Sequence, residues 1–246
     1  MTYKFNHLLI LGANSDIAEQ VAYQAAKERI ALTLSGRNFE KLKALQSDIQ
    51  AKHEVTVYIR KFDADKINEH QSFYNGLDEK PDAVLCAFGI LGDQKLAEKD
   101  ESWQNIIQTN FTGAVSILSI IANDFEKRKH GFIAGISSVA GDRGRQSNYF
   151  YGAAKAGFTT FLSGLRNRMQ HCNVSVLTVK PGFVKTKMID GLETPGPLTA
   201  KPAKLAKAIL TAMNKRKSEI YYKPIWWFIM KIITSIPENL FKKMKL

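Results

Sequence analysis

The strongest constraint on this chain is a rhythm: short, nearly unbroken apolar runs alternate with segments of helical pattern. The runs are residues 7–12 (HLLILG), 31–37 (ALTLSGR), 55–63 (VTVYIRKFD), 82–89 (DAVLCAFG), 131–138 (GFIAGISS) and 174–182 (VSVLTVKPG), with a shorter seventh near 219–222. Between them lie amphipathic stretches such as DIAEQVAYQAAKER, each long enough for a crossover helix. A strand covered on both faces loses the apolar–polar alternation of a half-exposed one, so runs like LLIL and AVLCAF belong to a parallel sheet sandwiched by helices. The pattern predicts one α/β domain over residues 1–220, with about seven parallel strands, and a distinct tail over 221–246.

A length of 246 residues, 45% hydrophobic and 24% charged, suits one soluble core of this kind. Cys86 and Cys172 are too few for a disulfide framework and are read as buried thiols in a reducing compartment. The N-terminus has no signal-peptide pattern, and no run of about 18 uncharged apolar residues predicts a membrane span. No metal site is expected. The net charge of +12 is unevenly spread: residues 201–246 hold eleven Lys/Arg against Glu219 and Glu238, a net +9. The asymmetry predicts a local partner for the tail, and no nucleic-acid-binding motif accompanies it.

Two ends of the domain carry chemistry. The first strand runs into Gly12, Ala13, Asn14, Ser15, Asp16 and Ile17 and then a helix. A strand, a glycine turn and a helix N-terminus together present backbone N–H groups and a helix dipole to a diphosphate. Asp16 is awkward there, because a carboxylate beside a phosphate repels it unless it points away or caps the helix. After the second strand stands Arg37 with no acid next to it in sequence, which suits a 2′-phosphate and favours NADP(H) over NAD(H). Asp63, ending the third strand, either meets an adenine amino group or caps the following segment.

At the other end, Tyr151 and Lys155 are four apart on a predicted helix and share a face. The ammonium is expected to lower the phenol's pKa, making Tyr151 a proton donor and acceptor for a carbonyl. Ser138, ending the fifth strand, is placed to hold that carbonyl oxygen, with Ser137 its neighbour in sequence. Asn110, polar amid apolar helix residues, either orders a water near Lys155 or is a satisfied core amide. Ala87, Phe88 and Gly89 follow the fourth strand. Pro181 and Gly182, with Val184 and Thr186, follow the sixth, where a Gly/Pro-rich loop over 190–201 reads as a lid.

In this order and on these elements, Gly12, Asn110, Ser138, Tyr151, Lys155 and Pro181-Gly182 resemble the short-chain dehydrogenase/reductase family. The resemblance implies a Rossmann-type, doubly wound parallel sheet, a nicotinamide cofactor and a tetrad of Asn110, Ser138, Tyr151 and Lys155. Two departures stand out: the family's TGxxxGxG reads Leu11 to Ala18 with one glycine, and its NNAG reads Cys86-Ala87-Phe88-Gly89. The stretches 86–93, 136–157 and 179–188 look like those of decaprenylphosphoryl-2-keto-β-D-erythro-pentose reductases, which implies a lipid-linked keto-sugar substrate and a partner oxidase. Arg143 and Arg145, in the loop between Ser138 and Tyr151, fit a substrate phosphate; otherwise they are solvated loop charges.

The tail reads YYKPIWWFIMKIITSIP followed by FKKMKL. Aromatic residues beside lysines, over a run too short to span, suit a helix lying on the cytoplasmic face of a membrane. The other readings of the tail are a homo-oligomer contact and a cover over the substrate cleft. The other readings of the body are a reductase of a 3-oxoacyl or steroid-like ketone, or a nicotinamide sensor without catalysis.

Overall fold

The computed structural model of the protein describes residues 4–244, so Lys245 and Leu246 of the tail lie outside the described residues. Seven strands form one sheet: β1 (His7–Leu11), β2 (Ala31–Gly36), β3 (Val57–Lys61), β4 (Ala83–Cys86), β5 (Gly131–Ile136), β6 (Val174–Pro181) and β7 (Glu219–Tyr222). Their spatial order is β3-β2-β1-β4-β5-β6-β7, and all neighbours are parallel. Among the described residues, ten α-helices connect or follow them: α1 (Asp16–Lys27), α2 (Phe39–Lys52), α3 (His70–Asn75), α4 (Gln94–Ala97), α5 (Ser102–Ile107), α6 (Gly113–Arg128), α7 (Tyr149–Met169), α8 (Pro202–Asn214), α9 (Ile225–Ser235) and α10 (Glu238–Phe241).

Alternate residues of β1, β4, β5 and β6 serve two cores. Leu8 and Ile10 of β1 face one side, where α1 and α8 supply Val21, Ala22, Leu205 and Ile209. Leu9 and Leu11 face the other, where α6 and α7 supply Ile117, Leu118, Phe125, Phe158 and Leu162. β1, β4 and β5 are buried along their whole length. Each large apolar side chain so buried contributes about 2 kcal/mol, which is why the strands read as continuous apolar runs. Cys86 belongs to this core, but Cys172 is only half-buried, in a one-turn helix that ends α7.

The chain order reverses direction across the sheet between β1 and β4, and the carboxyl ends of these strands form the crevice that such a switch opens. β7 includes Tyr221 and Tyr222, paired with Lys180 and Pro181 of β6, so the sheet extends two residues beyond the expected boundary at 220. One helical run among the described residues, 102–128, is long and apolar enough to cross a membrane by composition. Half of its apolar window is buried in the protein, and Ile117, Ile121 and Phe125 lie in the core beneath the sheet.

Candidate active site

α1 begins where it does because Ser15 caps it, its Oγ accepting the Ala18 N–H at 3.3 Å. Gly12 turns the chain at φ +88°, and a Cβ there would lie 2.7 Å from the Phe88 backbone nitrogen, so glycine is required. The Ser15 hydroxyl also donates to the Ala87 carbonyl at 3.4 Å, tying the turn to the end of β4. Asn14 bridges to the next turn: its Oδ1 accepts the Asn38 N–H (3.2 Å) and its Nδ2 donates to the Asn38 carbonyl (3.3 Å).

Gly12, Asn14, Ser15, Arg37, Asp63, Phe88 and Gly89 line one hollow. Asn14, Ser15, Asp16, Ile17, Ala87, Phe88, Gly89, Ser138, Arg145, Tyr151, Lys155, Pro181, Gly182, Val184 and Thr186 line an adjoining one. Because Asn14, Ser15, Phe88 and Gly89 wall both, the two form a single crevice across the start of α1. Asn110 and Arg143 line neither.

Asp16 lines the crevice with its carboxylate already bonded within the fold. Its Oδ2 accepts the Lys187 backbone N–H at 2.7 Å, in the loop after β6. Arg37 is exposed and lies 4.0 Å from Asp65, a carboxylate the sequence reading passed over because it comes from the loop after β3. Asp65 is held by the Thr109 hydroxyl at 2.7 Å. Asp63 caps its own turn, Oδ1 accepting the Asp65 N–H, while still lining the hollow.

At the chemical end, Tyr151 and Lys155 stand on the first turns of α7, with the Lys155 Nζ 5.7 Å from the phenol ring centre. Lys155 is buried and donates to the Ile136 carbonyl at 3.0 Å. Burial lowers its pKa to about 8. Burial also pushes the Tyr151 phenol up to about 12, against a hydrogen bond with Ser138 that works to lower it. The phenol's pKa is thus raised where the sequence predicted a lowering: withdrawal from water is the largest influence, and Tyr151 holds its proton at neutral pH. Ser137 and Ser138 both line the crevice, but the Ser137 hydroxyl is committed to the Lys155 carbonyl (3.0 Å) and Thr159 (2.6 Å), which leaves Ser138 as the one placed beside the phenol.

Asn110 is a satisfied core amide at a break in the helix. A π-helical turn, residues 108–112, separates α5 from α6. The amide donates to the Ile90 (2.7 Å) and Ile106 (2.8 Å) carbonyls and accepts the Ile90 N–H (3.2 Å). Both its N–H groups are thus committed, so any water held by this amide would have to donate to the second lone pair of Oδ1. A Cβ on Gly89 would lie 2.6 Å from Asn110 Oδ1 and 3.3 Å from Lys155 Nζ, so Asn110 positions the strand end that backs the lysine.

Arg143 does not serve substrate. It donates to the carbonyls of Ile233 and Ile236, both at 2.6 Å, pairs with Glu238 at 2.9 Å and stacks over the Phe241 ring. The arginine caps the open end of α9, satisfying carbonyls that have no partner within the helix. Thr186 donates to the nearby Val184 carbonyl at 3.2 Å. The substrate end has walls the sequence reading missed: Val139, Phe183, Met188, Leu192, Asn148 and Trp226. Trp226 arrives from the tail, its ring so close over Gly182 that a Cβ there would lie 2.0 Å from the indole. The tail thus covers the cleft with its inner face.

A doubly wound sheet whose switch-point crevice ends in Ser138, Tyr151 and Lys155 defines a nucleotide-dependent oxidoreductase. The chain belongs to the short chain dehydrogenase family, whose model matches residues 6–195, and is an NAD(P)-dependent oxidoreductase by that membership. It is 34% identical over 218 residues, 87% of each chain, to an uncharacterized oxidoreductase of Mycobacterium tuberculosis. Among solved structures it is similar to a short-chain dehydrogenase from Sphingobium yanoikuyae in complex with NADPH (TM-score 0.80, 20% identity, 94% of this chain and 96% of that one). It is also similar to a 7β-hydroxysteroid dehydrogenase (TM-score 0.85, 16% identity, 98% and 96%).

Proposed function

We propose that the chain is an NADPH-dependent reductase of a hydrophobic ketone, and that this ketone is a polyprenyl-phosphate-linked keto-sugar. The observation that carries the reading is the continuity of the crevice. It runs from Arg37, past the start of α1, to Ser138 and Tyr151, and there its walls become Val139, Phe183, Leu192 and Trp226. A dinucleotide needs the first stretch and an apolar carbonyl compound the second.

The residues fit the cofactor. The start of α1 with Ser15 would meet the diphosphate, now that Asp16 is turned to Lys187. Exposed Arg37 would meet a 2′-phosphate; its pair with Asp65 is too exposed to hold it against that competitor. Pro181, Gly182 and Thr186 lie at the nicotinamide end. The bound nicotinamide supplies hydride. Ser138 orients the carbonyl oxygen, and Tyr151, protonated across the physiological range, donates the proton that the new alkoxide requires. Buried, charged Lys155 favours the phenolate left behind.

The tail supports a lipid-linked substrate. Its inner residues Trp226 and Met230 are buried, whereas Ile225, Phe228 and Ile232 are 48%, 59% and 68% exposed on the opposite face, flanked by Lys223, Lys231, Lys242 and Lys243. That face suits the interface of an anionic bilayer at the cytoplasmic side, with the substrate cleft directly behind it. A partner oxidase would then act on the same lipid-linked sugar.

The test is oxidation of NADPH and NADH by the full chain in detergent micelles, with a polyprenyl-phosphoryl 2-keto-pentose, its lipid-free sugar phosphate, and Tyr151→Phe as control. Turnover of the lipid-linked ketone, with NADPH preferred and activity abolished in Tyr151→Phe, supports the reading. Failure with both ketones despite measurable NADPH binding overturns the sugar assignment. Loss of NADPH preference in Arg37→Ala, read by calorimetry, checks the cofactor separately.

A further inference from the structure

The loop between Ser138 and Tyr151 holds two buried polar atoms with no hydrogen-bond partner, Arg145 Nε and Asn148 Oδ1, and both residues line the substrate end of the crevice. Such atoms are costly to bury unmet, so each is a request for a partner from within the cavity.

Asn148 is the more telling. It stands at the residue before α7, where an asparagine ordinarily caps the helix with its side-chain oxygen. Here it makes no capping bond. The Phe150 N–H, one of the free donors of that first turn, is taken instead by Gln94 Oε1 of α4 at 3.3 Å. A residue from elsewhere in the chain has relieved Asn148 of part of its local duty, and its amide is left to the cavity. Tyr151 lies three residues on, so the amide shares the face of α7 that carries the phenol.

Arg145 is half-buried and, among the described residues, has no ion-pair partner, whereas its neighbour Arg143 has Glu238. Burial lowers its pKa, with the Asp142 carboxylate nearby pulling the other way without forming a direct ion pair. The segment holding both groups is tied down by its own bonds. The Asn148 N–H closes a turn onto the Arg145 carbonyl at 3.1 Å. Upstream, Asp142 is gripped by Lys180 and by the Tyr221 hydroxyl, each at 2.9 Å. Burial alone would pull Lys180 down, but its bonds to Glu219, Asp142 and Tyr221 hold it above the ordinary lysine value, so the grip stays charged.

We infer that Arg145 and Asn148 form a recognition subsite for the non-reacting end of the substrate, which carries an anionic oxygen for the guanidinium and a hydroxyl for the amide. The inference rests on the ketone-reductase reading and narrows its substrate class to hydroxyketones bearing a phosphate or similar anion. Selectivity of this kind comes from leaving the polar atoms unmet when the wrong ligand binds.

The experiment uses the full chain and two readouts. Calorimetry compares dodecyl phosphate, dodecanol and inorganic phosphate as ligands. Dodecyl phosphate is expected to bind roughly tenfold more tightly than dodecanol, a margin that Arg145→Met abolishes and Arg145→Lys partly retains. Binding of inorganic phosphate alone, lost in Arg145→Met, assigns the anion to a small phosphorylated ketone, and binding of dodecyl phosphate alone to a lipid-linked one; both support the subsite. NADPH oxidation then compares 2-dodecanone with 1-hydroxy-2-dodecanone. The hydroxyketone is expected to have a kcat/KM roughly tenfold higher than 2-dodecanone, a ratio that Asn148→Leu brings close to one. Equal binding of dodecyl phosphate and dodecanol by the wild type, or a margin undiminished in Arg145→Met, overturns the subsite. Turnover of 2-dodecanone with no hydroxyl advantage leaves the reductase reading standing and sinks this one. No turnover of either ketone sinks the reductase reading, while the calorimetric arm still reports on Arg145.

Discussion

The Asp16 carboxylate, in the first turn of α1, accepts the backbone N–H of Lys187 at 2.7 Å across 171 residues of chain. Asp16 stands where the family pattern has glycine, and this bond gives its carboxylate a partner within the fold. It fastens one side of the segment 185–200, whose neck is closed by the Ala200 N–H bonding the Phe183 carbonyl at 2.8 Å and the Lys185 N–H bonding the Ala200 carbonyl at 2.9 Å. Asp16→Ala is expected to release that segment. Limited trypsin digestion should cut at Lys185 or Lys187 several-fold faster, while Lys187→Ala, which keeps the backbone donor, leaves the loop closed at the remaining site. Equal digestion of Asp16→Ala and wild type would remove the latch. The helix itself loses only about 0.5 kcal/mol with the first-turn charge.

The pKa directions at the site set a pH dependence. Lys155 titrates at about 8 in the fold against 10.5 unfolded, so between those values the unfolded chain binds the extra proton and stability rises with pH. Activity moves the opposite way. Tyr151 keeps its proton to about 12, so the falling limb belongs to Lys155. The kcat/KM for carbonyl reduction should decline above pH about 8 while thermal stability does not. A pH profile flat to pH 10 would show that the ammonium is not required.

Trp226 and Gly182 are coupled by contact, the indole occupying the space a Cβ at 182 would need. Trp226→Ala removes a buried aromatic and should cost about 3 kcal/mol, unless the tail undocks and limits the loss. Gly182→Ala should destabilise the wild type but have little further effect in the Trp226→Ala background. Thermal denaturation of the four proteins measures this, and additive effects would refute the contact.

Much of this was legible in the chain because the physics is local. Apolar runs over 7–12 and 82–89 are unbroken since both faces of the sheet are covered, and Tyr151 and Lys155 meet because four residues make a helical turn. What escaped was decided by partners distant in sequence. Arg143 looked like a phosphate ligand beside the active-site serine, but α9 brings it three carbonyls and Glu238 from some ninety residues away. Asp65 reaches Arg37 from another loop, and Gln94 takes a helix-start donor near Asn148. The Tyr151 pKa was misjudged for a related reason: pairing with Lys155 can be read from spacing, but loss of water depends on everything packed around both.

The exposed face of α9 makes the membrane reading testable apart from catalysis. Ile225, Phe228 and Ile232 recur at helical spacing on one side, and Lys231 lies over the Trp227 ring at 5.6 Å. Inserting such residues into an interface is favourable by about 1.5–3 kcal/mol for each fully buried large side chain, and each nearby lysine adds about 1 kcal/mol on anionic lipid. Full-length protein should sediment with phosphatidylglycerol vesicles, less so in 0.5 M salt (about half the Debye length of 0.1 M), and little with neutral phosphatidylcholine. Phe228→Glu with Ile232→Glu should weaken this by on the order of 100-fold without unfolding the protein, since neither side chain enters the core. If the double variant still sediments, α9 is not the contact. If the wild type stays in solution and forms a dimer that the same substitutions break, the face belongs to a second copy of the chain, and the lipid-linked substrate loses its structural support.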